Sequence, residues 1–131
     1  MERSFEFVQR ATTRIVIGQG VEARLGPAIQ ALHPDGIVLV HDASLDAMAQ
    51  RIAASIGARG VLAVGGGEAC KRVDMVDNLA RELSRLGATR GTALVVLGGG
   101  TLTDLAGFTG SIFMRGIRCV FCPTTTLAIC D

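Results

Sequence analysis

Short apolar runs alternate with longer amphipathic segments along the chain. The runs contain four or five residues, are rich in β-branched side chains, and lie at residues 14–17, 37–40, 61–64, 93–97 and 119–122. In the segments between them, residues 21–32, 45–56, 73–86 and 102–114, apolar positions recur at intervals of three and four. Continuous apolar runs are typical of strands buried on both faces, and the three- and four-residue spacing is typical of amphipathic helices. The pattern predicts five strands alternating with four helices.

This order of elements predicts an α/β fold. Strands joined through helices form a doubly wound, mostly parallel, Rossmann-like sheet with helices on both faces. Ligands of such sheets bind beyond the carboxyl ends of the strands. The length of 131 residues suits one domain, so we expect residues 1–131 to form a single unit.

Composition narrows the range of partners. The 13 Lys and Arg residues nearly balance the 12 Asp and Glu residues, so no net field favours nucleic acid or a membrane surface. No stretch approaches the roughly 18 apolar residues of a spanning helix. The first six residues carry acids and lack the apolar core of a signal peptide, and the four cysteines suit reduced thiols, so we expect a cytoplasmic protein. The aromatic side chains expected mostly in the core are Phe5, Phe7, Phe108, Phe113 and Phe121.

Three consecutive glycines follow two of the predicted strands, at residues 65–67 and 98–100. Such a turn lets the backbone approach a ligand closely, and the next helix offers free N–H groups and the positive end of its dipole. The glycines therefore form either a tight turn or a pyrophosphate site, with spacings unlike those of the common dinucleotide and P-loop motifs. Asp104 either caps the helix that follows or accepts hydrogen bonds from a ribose or nicotinamide.

Three further segments occur in order: GGGTLTDLAGF at residues 98–108, MRG at 114–116 and PTTTLAICD at 123–131. Together they resemble the 3-dehydroquinate synthase family of sugar phosphate cyclases. The family pattern is GGG-x-x-x-D-x-x-GF, then RG, then PTT-x-x-A-x-x-D, with the same separations. Upstream, residues 67–71 are similar to the family's GE-x-x-K segment, and Asp42 stands where the family has an acidic residue after its second strand.

The resemblance implies that NAD is bound as a catalytic, recycled oxidant. It places Asp42 on the adenosine ribose, Glu68 and Lys71 along the nucleotide, Gly99 and Gly100 on the pyrophosphate, and Asp104, Thr124 and Thr125 on the nicotinamide side. Arg115 matches the arginine that reaches the substrate phosphate across a homodimer interface, and a forked guanidinium suits a phosphate. Asp131 matches the acidic residue that ends the PTT segment. Arg115 and Asp131 are thus the candidate catalytic residues.

The family converts a seven-carbon sugar phosphate to a carbocycle by transient oxidation, phosphate elimination, re-reduction and aldol closure. Its metal ligands and its catalytic Lys and Asn follow the position of Asp131, in a helical domain absent from this chain. We therefore expect zinc or cobalt only with that carboxy-terminal domain, no metal ligand among these residues, and no turnover by this chain alone.

Alternatives remain open at this stage. Thr103, Thr126 and Cys130 depart from the usual dehydroquinate synthase residues, which leaves a valiolone- or inosose-forming cyclase possible. A glycerol-dehydrogenase-type alcohol dehydrogenase shares the glycine segment, although the GF, RG and PTT segments favour a cyclase. A non-catalytic nucleotide-binding domain is the third alternative.

Several residues also have plain structural interpretations. Cys119 and Cys122 would point to opposite faces of a strand, so we expect buried, inert thiols. His33 and His41 lack a second ligand at metal spacing. Glu68 and Lys71 could form only a surface ion pair, and the threonines after Pro123 could form a polar turn or helix cap.

Overall fold

Four parallel strands form a single sheet in the structure, a computed structural model that describes residues 12–130. The strands are β1 (Ile37–Asp42), β2 (Gly60–Val64), β3 (Ala93–Gly98) and β4 (Arg118–Pro123), arranged in the order β2-β1-β3-β4. Each pair of neighbours is parallel. Four of the five predicted strands and the parallel sheet are therefore confirmed. Asp131 and the first six residues, which were examined for a signal peptide, lie outside the described residues.

Five helices accompany the strands: α1 (Leu25–Gln30), α2 (Asp46–Ile56), α3 (Val73–Arg85), α4 (Gly100–Ile112) and α5 (Thr126–Cys130). The predicted helix over residues 21–32 is divided into a 3-10 turn, Val21–Arg24, and the short α1. Pro27 explains the division, because its ring would clash with the Ala23 carbonyl in a continuous α-helix. The short helix α5 was not predicted from the sequence.

Side chains of the central strands alternate between two apolar layers. One layer joins the sheet to α3 and α4, and the other joins it to α1 and α2. The strand residues of the first layer are Val38, Val40, Leu94 and Val96, and those of the second are Ile37, Leu39, Ala93, Val95 and Leu97. All nine are buried, which explains why β1 and β3 have no polar alternation in the sequence.

The predicted strand at residues 14–17 does not form. Ile15 and Ile17 are 77% and 78% exposed, and the segment has no regular secondary structure. A strand is stabilised by a hydrogen-bonding partner and by packing of its side chains, and neither is supplied to this segment by residues 12–130. An apolar β-branched run alone was therefore insufficient evidence for a strand.

The prediction that the phenylalanines lie mostly in the core is wrong for two of the three that the structure describes. Phe113 is buried, whereas Phe108 and Phe121 are 58% and 47% exposed. Phe121 lies on β4, at one edge of the sheet, where only one neighbouring strand covers the backbone. Phe5 and Phe7 lie outside the described residues.

The strand order creates a crevice at one end of the sheet. β1 lies between β2 and β3, and the helices that follow β1 and β3 pack on opposite faces. Connections thus diverge on either side of the carboxyl ends of β1 and β3, which is where ligands bind in open α/β sheets. Within residues 12–130, no helix combines the length and the apolar character needed to cross a membrane.

Candidate functional site

A cleft of about 340 Å³ opens at this point of divergence. The carboxyl end of every strand supplies it with residues, through the loops that follow β1 to β4. Its lining consists of Asp42, Gly67, Glu68, Lys71, Gly99, Gly100, Thr101, Leu102, Asp104, Thr125 and Leu127. The structure therefore brings together all of the predicted cofactor-binding residues except Thr124.

Asp42 ends β1, and its carboxylate is held on both sides. Oδ1 accepts hydrogen bonds from the Ser44 N–H at 2.9 Å and the Ser44 hydroxyl at 2.7 Å. These bonds, the hydroxyl first, lower the pKa of Asp42 below its ordinary value of 3.8. Oδ2 faces Gly66, where a β-carbon would lie only 2.8 Å away. Nδ1 of the buried His41 donates a hydrogen bond to the Asp42 carbonyl at 2.8 Å. The end of β1 is therefore held through both the backbone and the side chain of Asp42.

The glycines after β3 lead directly into α4. Gly99 is the N-cap residue, and its carbonyl accepts the first helical hydrogen bonds, from Leu102 and Thr103. The N–H groups of Gly100 and Thr101 precede those bonds and lie at the positive end of a 13-residue helix. A β-carbon on Gly100 would have no protein atom within 4 Å, so this position borders open space.

The two triple-glycine segments have different structures. After β2, Gly67 has a φ of +92°, which favours glycine, and a 3-10 turn, Glu68–Cys70, follows it. After β3, by contrast, a regular helix begins at once. Asp104 does not cap that helix, because the N-cap residue is Gly99 and Asp104 is the fifth residue of α4.

An ion-pair network joins the turn after β2 to α4. Lys71 Nζ lies 2.9 Å from Asp104 Oδ2 and 3.4 Å from Glu68 Oε1. The Thr101 hydroxyl donates a hydrogen bond to the same Glu68 oxygen at 3.2 Å. The hydrogen bond to Asp104 is the main cause of a raised pKa at Lys71, so the ammonium stays charged. The predicted Glu68–Lys71 ion pair does form, but as part of the cleft wall.

The segment after β4 closes the remaining side of the cleft. The Thr125 hydroxyl accepts a hydrogen bond from the Ala128 N–H at 3.3 Å and so caps α5. A β-carbon on Gly99 would lie 3.2 Å from the Thr125 methyl group, which shows how closely the two loops approach. The Thr124 N–H donates to the Gly98 carbonyl at 2.9 Å and ties β4 to β3. Thr124 therefore supports the cleft through its backbone, outside the lining.

Arg115 lies at the opposite end of the sheet from the cleft, near the amino ends of the strands. It follows the carboxyl end of α4, and a helix of 13 residues is about 20 Å long. Met114, Arg115 and Gly116 all have positive φ, at 50°, 66° and 104°, and the Arg115 side chain is exposed. The structure does not bring Arg115 to the cleft of its own chain, and Asp131 lies outside the described residues.

Cys119 and Cys122 behave as structural residues. Cys119 packs against the apolar layer of α3 and α4, and Cys122 against that of α1 and α2, as expected for opposite faces of β4. Burial raises the pKa of both thiols, to about 11 for Cys122, so they stay protonated. Across residues 12–130, no group of three or more His, Cys, Asp or Glu side chains is placed to hold a metal ion.

Six residues of the cleft or its supports were not assigned from the sequence. Ser44 and Gly66 hold Asp42, and four others line the cleft: Gly67, Thr101, Leu102 and Leu127. Ser44 had a recognisable signal, because an Asp followed two residues later by Ser at a strand end is typical of a side-chain turn. Leu127 had none, since it lies on a five-residue helix that the apolar spacing does not reveal.

A family model described as 3-dehydroquinate synthase N-terminal matches residues 61–131, more than half of the chain. The chain belongs to the 3-dehydroquinate synthase family. It is 37% identical over 132 residues to the 3-dehydroquinate synthase of Aeropyrum pernix, covering 95% of this chain and 37% of that enzyme. This result confirms the resemblance drawn from the three motif segments.

Solved structures of related cyclases share the fold. A crystal structure of 2-deoxy-scyllo-inosose synthase superposes with a TM-score of 0.77 at 33% identity, covering 87% of this chain and 33% of that one. A second structure of such an enzyme, complexed with carbaglucose-6-phosphate, NAD⁺ and Co²⁺, has a TM-score of 0.74 at 32% identity, covering 87% of this chain and 32% of that one. The chain thus spans about a third of the length of these family members.

Proposed function

We propose that residues 1–131 form the NAD-binding, amino-terminal domain of a sugar phosphate cyclase of the 3-dehydroquinate synthase type. The observation that carries this proposal is the convergence of Asp42, the Gly99-Gly100 turn and the Lys71–Asp104 pair on one cleft at the carboxyl edge of a parallel sheet. These residues come from separate segments of the sequence, and their convergence at the carboxyl ends of parallel strands, where open α/β sheets bind ligands, supports the proposal.

The donor and acceptor groups of the cleft suit the parts of NAD⁺. The Gly100 and Thr101 N–H groups, with the positive end of α4, would hold the pyrophosphate, and the missing side chain at Gly100 leaves room for it. The Asp42 carboxylate would accept hydrogen bonds from the adenosine ribose hydroxyls. The bound nucleotide would supply a hydride acceptor that is regenerated within one turnover.

The Lys71–Asp104 pair would orient the nicotinamide side. Asp104 offers carboxylate oxygens to ribose or amide donors, and Lys71 holds that carboxylate at 2.9 Å while remaining protonated. Thr125 would add a hydroxyl from the opposite loop. In this arrangement the side chains bind and orient the nucleotide, and none of them moves a proton of the substrate.

The complete reaction would convert a seven-carbon sugar phosphate to a carbocycle through transient oxidation, phosphate elimination, re-reduction and aldol closure. We propose that Arg115 binds the substrate phosphate of a second subunit in a homodimer. This agrees with its exposed position after the far end of α4, a helix about 20 Å long that begins at its own cleft. Asp131 would act near the substrate. A zinc or cobalt ion would be held by residues of the family's carboxy-terminal domain.

A cyclase acting on a six-carbon sugar phosphate is the second candidate. The observation in its favour is the 33% identity to 2-deoxy-scyllo-inosose synthase, close to the 37% identity to a 3-dehydroquinate synthase. Release of inorganic phosphate from either substrate by an intact enzyme carrying this domain would distinguish the two. The second candidate leaves the proposed NAD site unchanged.

Calorimetric titration with NAD⁺ tests the proposal. We expect the chain to bind NAD⁺ and Asp104→Ala to weaken binding about tenfold or more, because a hydrogen bond to a charged group contributes about 1.5–3 kcal/mol. Asp74→Ala is the matched control: Asp74 is 56% exposed and ion-paired, as Asp104 is 58% exposed and ion-paired, but it lies on α3 outside the cleft lining. Absence of NAD⁺ binding by the folded chain would contradict the proposal, and so would an equal loss in the two variants.

A further inference from the structure

The lining of the cleft carries more negative than positive charge. The described residues of its lining include three carboxylates, those of Asp42, Glu68 and Asp104, and a single cation, Lys71. That cation is already paired with Asp104 and Glu68. Sites that accept the 2′-phosphate of NADP⁺ usually provide an arginine or another free cation for it. The cleft offers no such group among its described lining residues.

Asp42 stands at the end of β1 with its side chain restrained by two different neighbours. Ser44 supplies both of its donors to Oδ1, at 2.9 and 2.7 Å, and the Gly66 backbone leaves just enough space for Oδ2. The carboxylate therefore has one orientation, in which Oδ2 accepts no hydrogen bond from residues 12–130 and remains available to a ligand.

We propose that Ser44 and Gly66 are positioning residues that make this cleft selective for NAD⁺ over NADP⁺ by fixing the Asp42 carboxylate at the adenosine ribose. This inference rests on the proposed function, because it needs Asp42 to face the ribose. A fixed carboxylate accepts hydrogen bonds from the 2′- and 3′-hydroxyls of NAD⁺. The same carboxylate repels the 2′-phosphate of NADP⁺, because both groups are negative and the carboxylate cannot rotate to increase their separation. A carboxylate free to rotate would bind the ribose less well and repel the phosphate less strongly.

The test compares affinities for NAD⁺ and NADP⁺ by calorimetry in the chain and in variants. We expect the unaltered chain to prefer NAD⁺ by about tenfold or more, since like charges in contact cost several kcal/mol. Ser44→Ala removes the 2.7 Å bond and should narrow the preference about threefold or more, whereas Ser44→Thr keeps a hydroxyl and should retain it. The ratio of the two affinities is the informative quantity, because a general loss of structure would lower both together.

Gly66→Ala tests the same restraint from the other oxygen. Its β-carbon would lie 2.8 Å from Oδ2, so the carboxylate must move although every Ser44 atom is retained. A narrowed preference in both Ser44→Ala and Gly66→Ala supports positioning and excludes a purely direct contact of the Ser44 hydroxyl with the nucleotide. Ser55→Ala, which removes an exposed hydroxyl bonded to the Ile52 carbonyl on α2, is the control and should leave the ratio unchanged.

The outcomes separate this inference from the proposed function. If the folded chain binds neither nucleotide, the proposed function and the inference both fail. If the chain prefers NAD⁺ and Asp42→Asn abolishes that preference, while Ser44→Ala and Gly66→Ala keep it, the proposed site stands and the positioning role is wrong. Equal affinity of the unaltered chain for the two nucleotides also overturns the inference.

Discussion

The amino and carboxyl ends of the strands define an amino edge and a carboxyl edge of the sheet, and each edge carries a cluster of polar side chains around a carboxylate. Of these two carboxylates, Asp42 lines the cleft described above and Asp35 does not. At the amino edge, Asp35 precedes β1, and both of its oxygens are occupied by side chains from the loops before β2 and β3. Oδ1 accepts bonds from Thr92 at 2.9 Å and from Arg59 at 3.3 Å, and Oδ2 accepts one from Thr89. At the carboxyl edge, Asp42 lines the cleft, and its Oδ2 accepts no such bond within residues 12–130.

This difference shows that clustered charge does not by itself indicate a binding site. The Asp35 cluster uses its hydrogen-bonding capacity to hold loops together, whereas the cleft retains acceptors and helix N–H groups for a ligand. The glycines of α4 show the same contrast. Gly100, at the carboxyl edge, borders open space, while Gly110, near the other end of the helix, lies where a β-carbon would come within 2.5 Å of Cys119 Sγ.

The largest effect on folding is expected from Gly110→Ala. The added methyl group would overlap the Cys119 sulfur between α4 and β4, and overpacking of this kind costs about 1–3 kcal/mol in the free energy of unfolding. Denaturant unfolding measures the change. Gly107→Ala is the control, since its β-carbon would meet, at 3.2 Å, only the half-exposed Phe121 ring, which can move. Recovery of stability in Gly110→Ala/Cys119→Ala would confirm the overlap, and an unchanged double variant would refute it.

The reverse result is expected at Gly100. Gly100→Ala should leave the fold intact or stabilise it by about 0.5–1 kcal/mol, because alanine suits a helix better than glycine. NAD⁺ affinity should fall about tenfold, since the methyl group would occupy space beside the N–H groups proposed to hold the pyrophosphate. Calorimetry and denaturant unfolding of the same sample test both parts. Loss of stability without loss of affinity would place Gly100 with the structural glycines.

The sequence predicted the sheet and most of the cleft for an identifiable reason. Buried parallel strands produce continuous apolar runs, and their carboxyl ends must meet at one edge, so the two glycine turns could be placed together in advance, whereas Asp42 was assigned from the resemblance to the family. The failures also have physical causes. Residues 14–17 have strand propensity without a partner, and Ser44 and Gly66 act through contacts that depend on how close two loops approach. The proposed contact of Arg115 with a second subunit would depend on assembly, which strand and helix periodicity does not encode.

Acid should weaken the amino edge through Asp35. The Thr89 hydroxyl first, and then Thr92 and Arg59, hold the pKa of this carboxyl below its ordinary value of 3.8. Folding therefore favours the charged form, so its contribution to stability is complete above about pH 3.8 and is lost as the pH falls through the lower folded-state pKa. Asp35→Asn should unfold at lower urea concentration than the unaltered chain at pH 7, and this difference should shrink as the pH falls below about 3.8. NAD⁺ affinity at pH 7 should not change, and a fall comparable to that of Asp104→Ala would contradict the division between the edges.

Arg115 differs from the Asp35 cluster, because it lies at the amino edge but is proposed to bind a ligand. The smallest predicted effect concerns the backbone of this residue. A residue with a β-carbon at φ +66° is strained by about 1–2 kcal/mol, which glycine relieves at a cost of about 0.5–1 kcal/mol in the unfolded chain. Arg115→Gly should therefore stabilise the fold by about 0.5–1 kcal/mol, whereas Arg115→Ala keeps the β-carbon and should not. Chemical denaturation of the two variants side by side measures the difference. If Arg115→Ala instead destabilises the chain, the guanidinium contributes to folding stability, as the Asp35 cluster does. If only the glycine variant gains stability, the strained turn is retained for a role outside folding, as a phosphate-binding arginine requires.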